Sequence, residues 1–211
     1  MNSNDLINIG WQLARLSINL HIAHPSEPVL AVWGGDGVVP APAGPYAHRI
    51  SLDCHALPLT AQLHSGWLSI YVNTDDFEAG IVMVDPAATL PSLQTNQIAL
   101  GGTPARSFPP IDAVTQVPQV HTWLASQGIV HDPKHNAYFD DEYNRIYQQE
   151  CPFYSRDAIA VIGGWHFPWP EGDWQDRQEA RLLIWTFQDE EPWVEAWQMS
   201  DGSFQVFQRI S

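Results

Sequence analysis

Ile162-Gly163-Gly164-Trp165-His166-Phe167-Pro168-Trp169-Pro170-Glu171-Gly172-Asp173-Trp174 is the stretch on which the reading of the fold turns. An apolar run ends in two glycines, which accept backbone angles that other residues avoid. Two prolines follow, and these cannot sit inside a central ladder, so the chain there must run along an edge or over the surface. Six of the ten tryptophans fall between Trp165 and Trp197. Each aromatic can bury about 150–250 Å², so this segment is either the densest part of the core or a binding platform.

The same order of features occurs earlier. Val32-Trp33-Gly34-Gly35 is followed by Pro40, Pro42, Gly44 and Tyr46, as Ile162-Gly163-Gly164 is followed by Pro168, Pro170, Gly172 and Trp174. Both copies then pass through an arginine into a strand, Arg49-Ile50-Ser51-Leu52 and Arg181-Leu182-Leu183-Ile184. Each later meets a glycine that opens an apolar run, Gly66-Trp67 and Gly202-Ser203-Phe204. A strand, a glycine turn, a stiff proline border and a returning hairpin make a unit that would pair with its copy in one sheet.

Working outward, Leu6, Ile9, Leu13, Leu16 and Leu20 recur at three- and four-residue steps and predict a helix over 5–20, capped by Asn4. Strands are expected at Val29–Trp33, Arg49–Asp53, Trp67–Asn73, Gly80–Asp85 and Ile159–Ile162. Three more, Arg181–Phe187, Pro192–Gln198 and Ser203–Ile210, form a meander in which Asp201-Gly202 marks a hairpin. Helices are expected at Pro118–Gln127 and Asp140–Gln149, and the span from Pro86 to Pro118 reads as irregular. Without βαβ alternation, this is an α+β chain. We expect a largely antiparallel sheet with a few peripheral helices in a single domain over 1–211, with possible internally repeated halves around 29–85 and 159–210.

The order of glycine, proline and strand elements resembles that of the bacterial YwqG-like family, over Trp33–Asn73 and Ile162–Ile210. The family's glutamine-bearing strand after the prolines is replaced here by Arg49–Asp53 and Arg181–Phe187. The resemblance implies an α+β fold with a duplicated sheet, and it brings no catalytic positions.

Composition narrows the function. The formal net charge is −15, from 24 acidic residues against nine basic ones, of which Lys134 is the single lysine. With no basic cluster, neither nucleic acid nor an anionic membrane surface is an expected partner. A basic protein partner or a neutral small ligand fits better. No run reaches the length of a membrane span, no leader precedes the first helix, and two cysteines are too few for a disulfide framework. A cytoplasmic protein is expected.

Motifs for nucleotide, P-loop, EF-hand and serine-hydrolase chemistry are absent. His131 and His135 lie four apart, but Pro133 between them opposes the helix a zinc pair would need. Cys54 beside His55, and Cys151 near Asp157, read as buried thiols rather than nucleophiles. No cofactor and no metal are expected. The leading expectation is therefore a non-enzymatic binding or interaction domain with an acidic, Trp-rich face built from Trp165, His166, Trp169, Glu171, Asp173, Trp174, Asp189, Glu191 and Trp193. The alternative is a carbohydrate-binding protein or glycoside hydrolase, in which Glu171, Asp173, Asp189 and Glu191 supply paired carboxylates beside the indoles.

Overall fold

The computed structural model describes residues 1–57, 65–76, 79–127, 143, 145–146, 149–150, 158–165, 181–186 and 193–209. The chain opens with helix α1, Ser3–Leu13. Asn2, not Asn4, is its cap: the Asn2 side chain accepts from the Asp5 amide while the Asp5 carboxylate accepts from the Asn2 amide, a capping box. Ala14 turns extended, with ψ 134°, and the helix predicted over 5–20 ends there.

Strand β1, Arg15–Ile22, takes over. Leu16-Ser17-Ile18-Asn19-Leu20-His21-Ile22 alternates apolar and polar residues, a period of two that the helical spacing of the leucines masks. The alternation prevails because β1 gains a neighbour on both sides. Strands β2 (Ala31–Trp33), β3 (Tyr46–Asp53), β4 (Trp67–Asn73) and β5 (Gly80–Asp85) follow, with a 3-10 turn at Cys54–Ala56. Strand β6, Ile98–Ser107, falls in the span read as irregular. Its glycines and Pro104 hide it in the sequence. Pro104 is tolerated because β2 pairs only with Ile98–Leu100, so beyond that point no second ladder on that side needs its missing N–H. Helices α2 (Ile111–Thr115) and α3 (Pro118–Ser126) come next, then β7 (Ala160–Gly163), β8 (Arg181–Thr186), β9 (Trp193–Gln198) and β10 (Phe204–Arg209). The helix expected over 140–149 lies largely outside the described residues, though Tyr143, Arg145 and Ile146 are helical.

The ten strands of the described residues form one antiparallel sheet in the order β10-β9-β8-β7-β1-β6-β2-β3-β4-β5. The sheet curls until its two edge strands, β5 and β10, lie side by side. They share no ladder. Side chains close the seam instead: a Cβ on Gly80 would lie 2.6 Å from Val206 Cγ1, and Gln208 donates to the Asn73 carbonyl at 3.4 Å. The architecture is thus a near-closed barrel, not a sheet with helices at its periphery. Its interior is filled. Leu20, Ile50, Leu52, Leu68, Ile70, Leu100, Ile162 and Ile184 form one cluster, all at 0% exposure, with residues from 29–85 and from 159–210 in the same core. Each such side chain contributes roughly 1.5–3 kcal/mol of gross transfer free energy.

The strand order runs outward symmetrically from β1 and β6. Leu20 faces Gly102, and Ile22 faces Leu100. The amide of Leu30 bonds to the Leu100 carbonyl at 2.9 Å, as that of Ile159 bonds to Leu20 at 2.8 Å. β2 and β7 each end in two glycines of positive φ, Gly34 (73°) and Gly35 (60°), Gly163 (66°) and Gly164 (81°). β3 breaks register between His48 and Ile50, and β8 between Leu182 and Ile184. The strand order makes β10 the counterpart of β5, so Gly202 corresponds to the β4–β5 connection and is not the counterpart of Gly66.

The outer face is covered differently on the two sides. Over β7–β9 lie Leu6 and Ile9 of α1, Phe108, Val114, Val120 and Leu124, packed on Val161, Leu182, Trp185 and Trp197. Over β2–β4 lies the proline segment that follows Gly35, whose Val39 packs on Val32 and Trp67.

Candidate functional site

A buried polar network lies beneath that proline segment. The interior residues of β3 and β4 are apolar, so the opposite parity faces outward and places His48, Ser51, Ser69 and Tyr71 together. His48 Nε2 is 2.9 Å from Ser51 Oγ, Ser51 Oγ is 2.7 Å from Ser69 Oγ, and His48 Nδ1 is 3.1 Å from the Gly34 carbonyl. A carbonyl only accepts, so Nδ1 carries the proton. In the neutral ring Nε2 then accepts from Ser51, and Ser51 in turn accepts from Ser69. Burial holds the His48 pKa below its ordinary value, against the opposing pull of its backbone partners, which suits the neutral form. Both hydroxyl oxygens also accept main-chain amides, Val38 to Ser51 at 3.0 Å and Val39 to Ser69 at 2.9 Å, while Tyr71 donates to the Val39 carbonyl at 2.6 Å.

A serine bonded to an oriented histidine has the form of a nucleophile and its base. Ser51 and Ser69 are at 0% exposure, however, so no substrate reaches either oxygen. The network pins the proline segment to the sheet. Cys54 is likewise inert: it is a buried free thiol whose pKa burial, with some help from Asp53, raises to about 11. Its neighbour His55 bonds to Asp53 at 2.9 Å.

Of the residues expected to form a Trp-rich face, Trp165 is buried. Its amide donates to Ser107 Oγ at 2.6 Å, its Nε1 to the Leu13 carbonyl at 2.9 Å, and Arg15 lies 3.4 Å over its ring. His166, Trp169, Glu171, Asp173, Trp174, Asp189 and Glu191 lie outside the described residues, as does the side chain of Trp193. So do His131, His135 and Cys151. Trp185 and Trp197 are core residues of the outer layer, and Trp197 donates to the buried Glu195 carboxylate at 3.1 Å. No group of three metal-ligating side chains occurs among the described residues.

Among the described residues, an open concavity of about 440 Å³ lies between α1 and α3, lined by Met1, Asp5, Asn8, Ile9, Gln119 and Trp123. Its volume is that of a small-ligand or side-chain site. α1 presents Asp5 at this cleft because the capping box fixes the carboxylate, which receives the Asn2 amide at 2.7 Å. Ile9 and the Trp123 indole form apolar walls, and Asn8 and Gln119 add amides. One carboxylate beside an indole suits an amphipathic cation. The sequence pattern marked helices around Asp5 and Trp123 but carries no signal that their faces meet.

Charge is distributed unevenly over the described surface. Asp5, Glu27, Asp36, Asp75, Asp76, Asp85 and Asp201 are exposed. Arg15 is engaged on Trp165, and Arg106 donates to the Trp11 and Ala14 carbonyls at 3.1 and 3.3 Å. Arg106 thereby satisfies the C-terminal end of α1, where the helix dipole favours a cation. Among the described residues no helix is long and apolar enough to cross a membrane. Comparison of the chain with protein-family models, curated proteins and solved structures finds no match.

Proposed function

We propose that this chain is a non-enzymatic binding domain that engages a basic protein partner through its acidic surface. In this reading the cleft between α1 and α3 receives one cationic side chain of the partner. One observation carries it: seven described carboxylates, Asp5 among them, face solvent, while two of the described arginines are spent on Trp165 and on the end of α1. A surface of that sign attracts basic partners and repels nucleic acid. The strand symmetry supports descent from a duplicated half, as in the YwqG-like pattern. The buried free thiol of Cys54 fits a cytoplasmic setting.

Titration of the full chain with a lysine- and arginine-rich peptide tests the reading. Affinity should fall as salt rises, since exposed charges are screened beyond about 8 Å at physiological ionic strength. Asp5→Asn and Trp123→Ala should each weaken binding several-fold, with thermal melts checking that the fold persists. A neutral peptide of equal length binding as tightly, or affinity indifferent to salt, would remove the proposal.

A further inference from the structure

We propose that the proline segment is a docking ridge for a partner protein whose groove is lined with tryptophan and tyrosine and rimmed with lysine and arginine. The ridge shares no residue with the cleft between α1 and α3. Val39-Pro40-Ala41-Pro42-Ala43-Gly44-Pro45 holds two X-Pro pairs in succession. Each proline fixes its own φ and pushes the residue before it into extended backbone. Val39 to Pro42 therefore run extended, the form that aromatic grooves recognise. Val39 is buried, while Pro40, Pro42, Ala43, Gly44 and Pro45 are exposed.

The backbone of this ridge is fixed at both ends. At the first, the Val38 and Val39 amides donate to Ser51 and Ser69, and Tyr71 donates to the Val39 carbonyl. At the second, the Pro45 carbonyl accepts from the Thr74 amide at 2.8 Å and from the Thr74 hydroxyl at 3.2 Å. Between the two anchors, no hydrogen bond among the described residues ends on the carbonyls of Pro40, Pro42 or Ala43. Exposed proline rings beside unpaired carbonyls suit an aromatic groove, which stacks on the rings and donates from indole N–H and phenol O–H. A segment already held in its bound form loses less entropy on association.

Charge sets the rim of the partner's groove. Asp36 precedes the ridge, and Asp75 and Asp76 follow the threonine that holds Pro45; all three are exposed. A groove bordered by acids would be repelled at both ends of the ridge, whereas one bordered by bases would be attracted.

The probe is an isolated WW domain, whose groove is aromatic, made in two forms with lysine or with glutamate at the rim. Titrated into the ¹⁵N-labelled full chain, the lysine form should shift the Ala41, Ala43 and Gly44 amide signals saturably. Calorimetry should show it binding more tightly than the glutamate form. Pro40→Ala combined with Pro42→Ala should weaken binding about tenfold or more while melting like the parent. Tyr71→Phe keeps both prolines but frees the Val39 carbonyl, and should weaken binding several-fold. Asp5→Asn should leave it unchanged. Unmoved ridge amides overturn the proposal, as does undiminished binding by the double proline variant or by Tyr71→Phe. Equal or tighter binding of the glutamate form overturns it as well, by removing the basic rim. Shifts confined to Asp5 and Trp123 also overturn it, since the domain then sits in the cleft between α1 and α3 and that earlier reading stands alone. Should the double variant fail to fold, the ridge amides of the parent protein decide.

Discussion

His48 couples the proline segment to pH. Its folded pKa is depressed by burial, so between the two pKa values the unfolded chain binds more protons than the folded one. Stability then rises with pH. The contribution is fully present above the ordinary imidazole value of about 6.5 and is lost as pH falls through and below it. Denaturant midpoints measured from pH 8 to pH 5 should decline on the acid side in the parent. The decline should be smaller in His48→Gln, and an identical decline in both would assign it to other groups. Ser69→Ala leaves the Val39 amide without its acceptor, at 0% exposure of the parent hydroxyl. An unsatisfied buried donor costs about 1–3 kcal/mol, readable as a shift in the denaturation midpoint at constant slope.

Gly10 tests how α1 is seated on the barrel. In an isolated helix, alanine would improve on glycine by roughly 1 kcal/mol. Here a Cβ at Gly10 would fall within the ring of Phe108, which is at 0% exposure and stacks with Tyr143. Phe108 cannot yield, so Gly10→Ala should destabilise, by up to about 2 kcal/mol once the helical gain is set against the overpacking. A stabilised variant in thermal melts would mean that α1 is loosely held. β1 and β6, the two strands at the centre of the sheet, were the least legible in the sequence, and for different reasons. In β1 the leucines satisfy both a helical and an alternating pattern, and only neighbours on both sides select the second. In β6 the residues are those of a loop, Gly101-Gly102-Thr103-Pro104. Gly102 is required because a Cβ there would meet Ile18 of β1 and Leu30, just before β2, at 2.5 and 2.8 Å.

For the whole molecule, the arrangement of β1 and β6 has a mechanical consequence. β1 lies beside β7 and β6 beside β2, so each half of the chain lends its first strand to the other. Cutting the connection between β5 and β6, within residues 86–97, should therefore give two fragments that cannot complete a barrel singly. Mixed or co-expressed, they should associate and recover a cooperative melt, each supplying strands the other's ladder lacks. A fragment that melts cooperatively alone would show that the halves are separate folding units. It would also weaken the case for strand exchange as the event that joined them.

The paired Gly-Gly stretches by themselves determined that two stretches of this chain end a strand alike, since only glycine takes positive φ cheaply. Local pattern also sufficed for β4 and β5, whose bounds match the expected ones. The closure of the sheet, the identity of its central strands and the burial of Trp165 were decided only in the tertiary structure. Each depends on which residues distant in the chain come to share a surface, and local propensity carries no term for that.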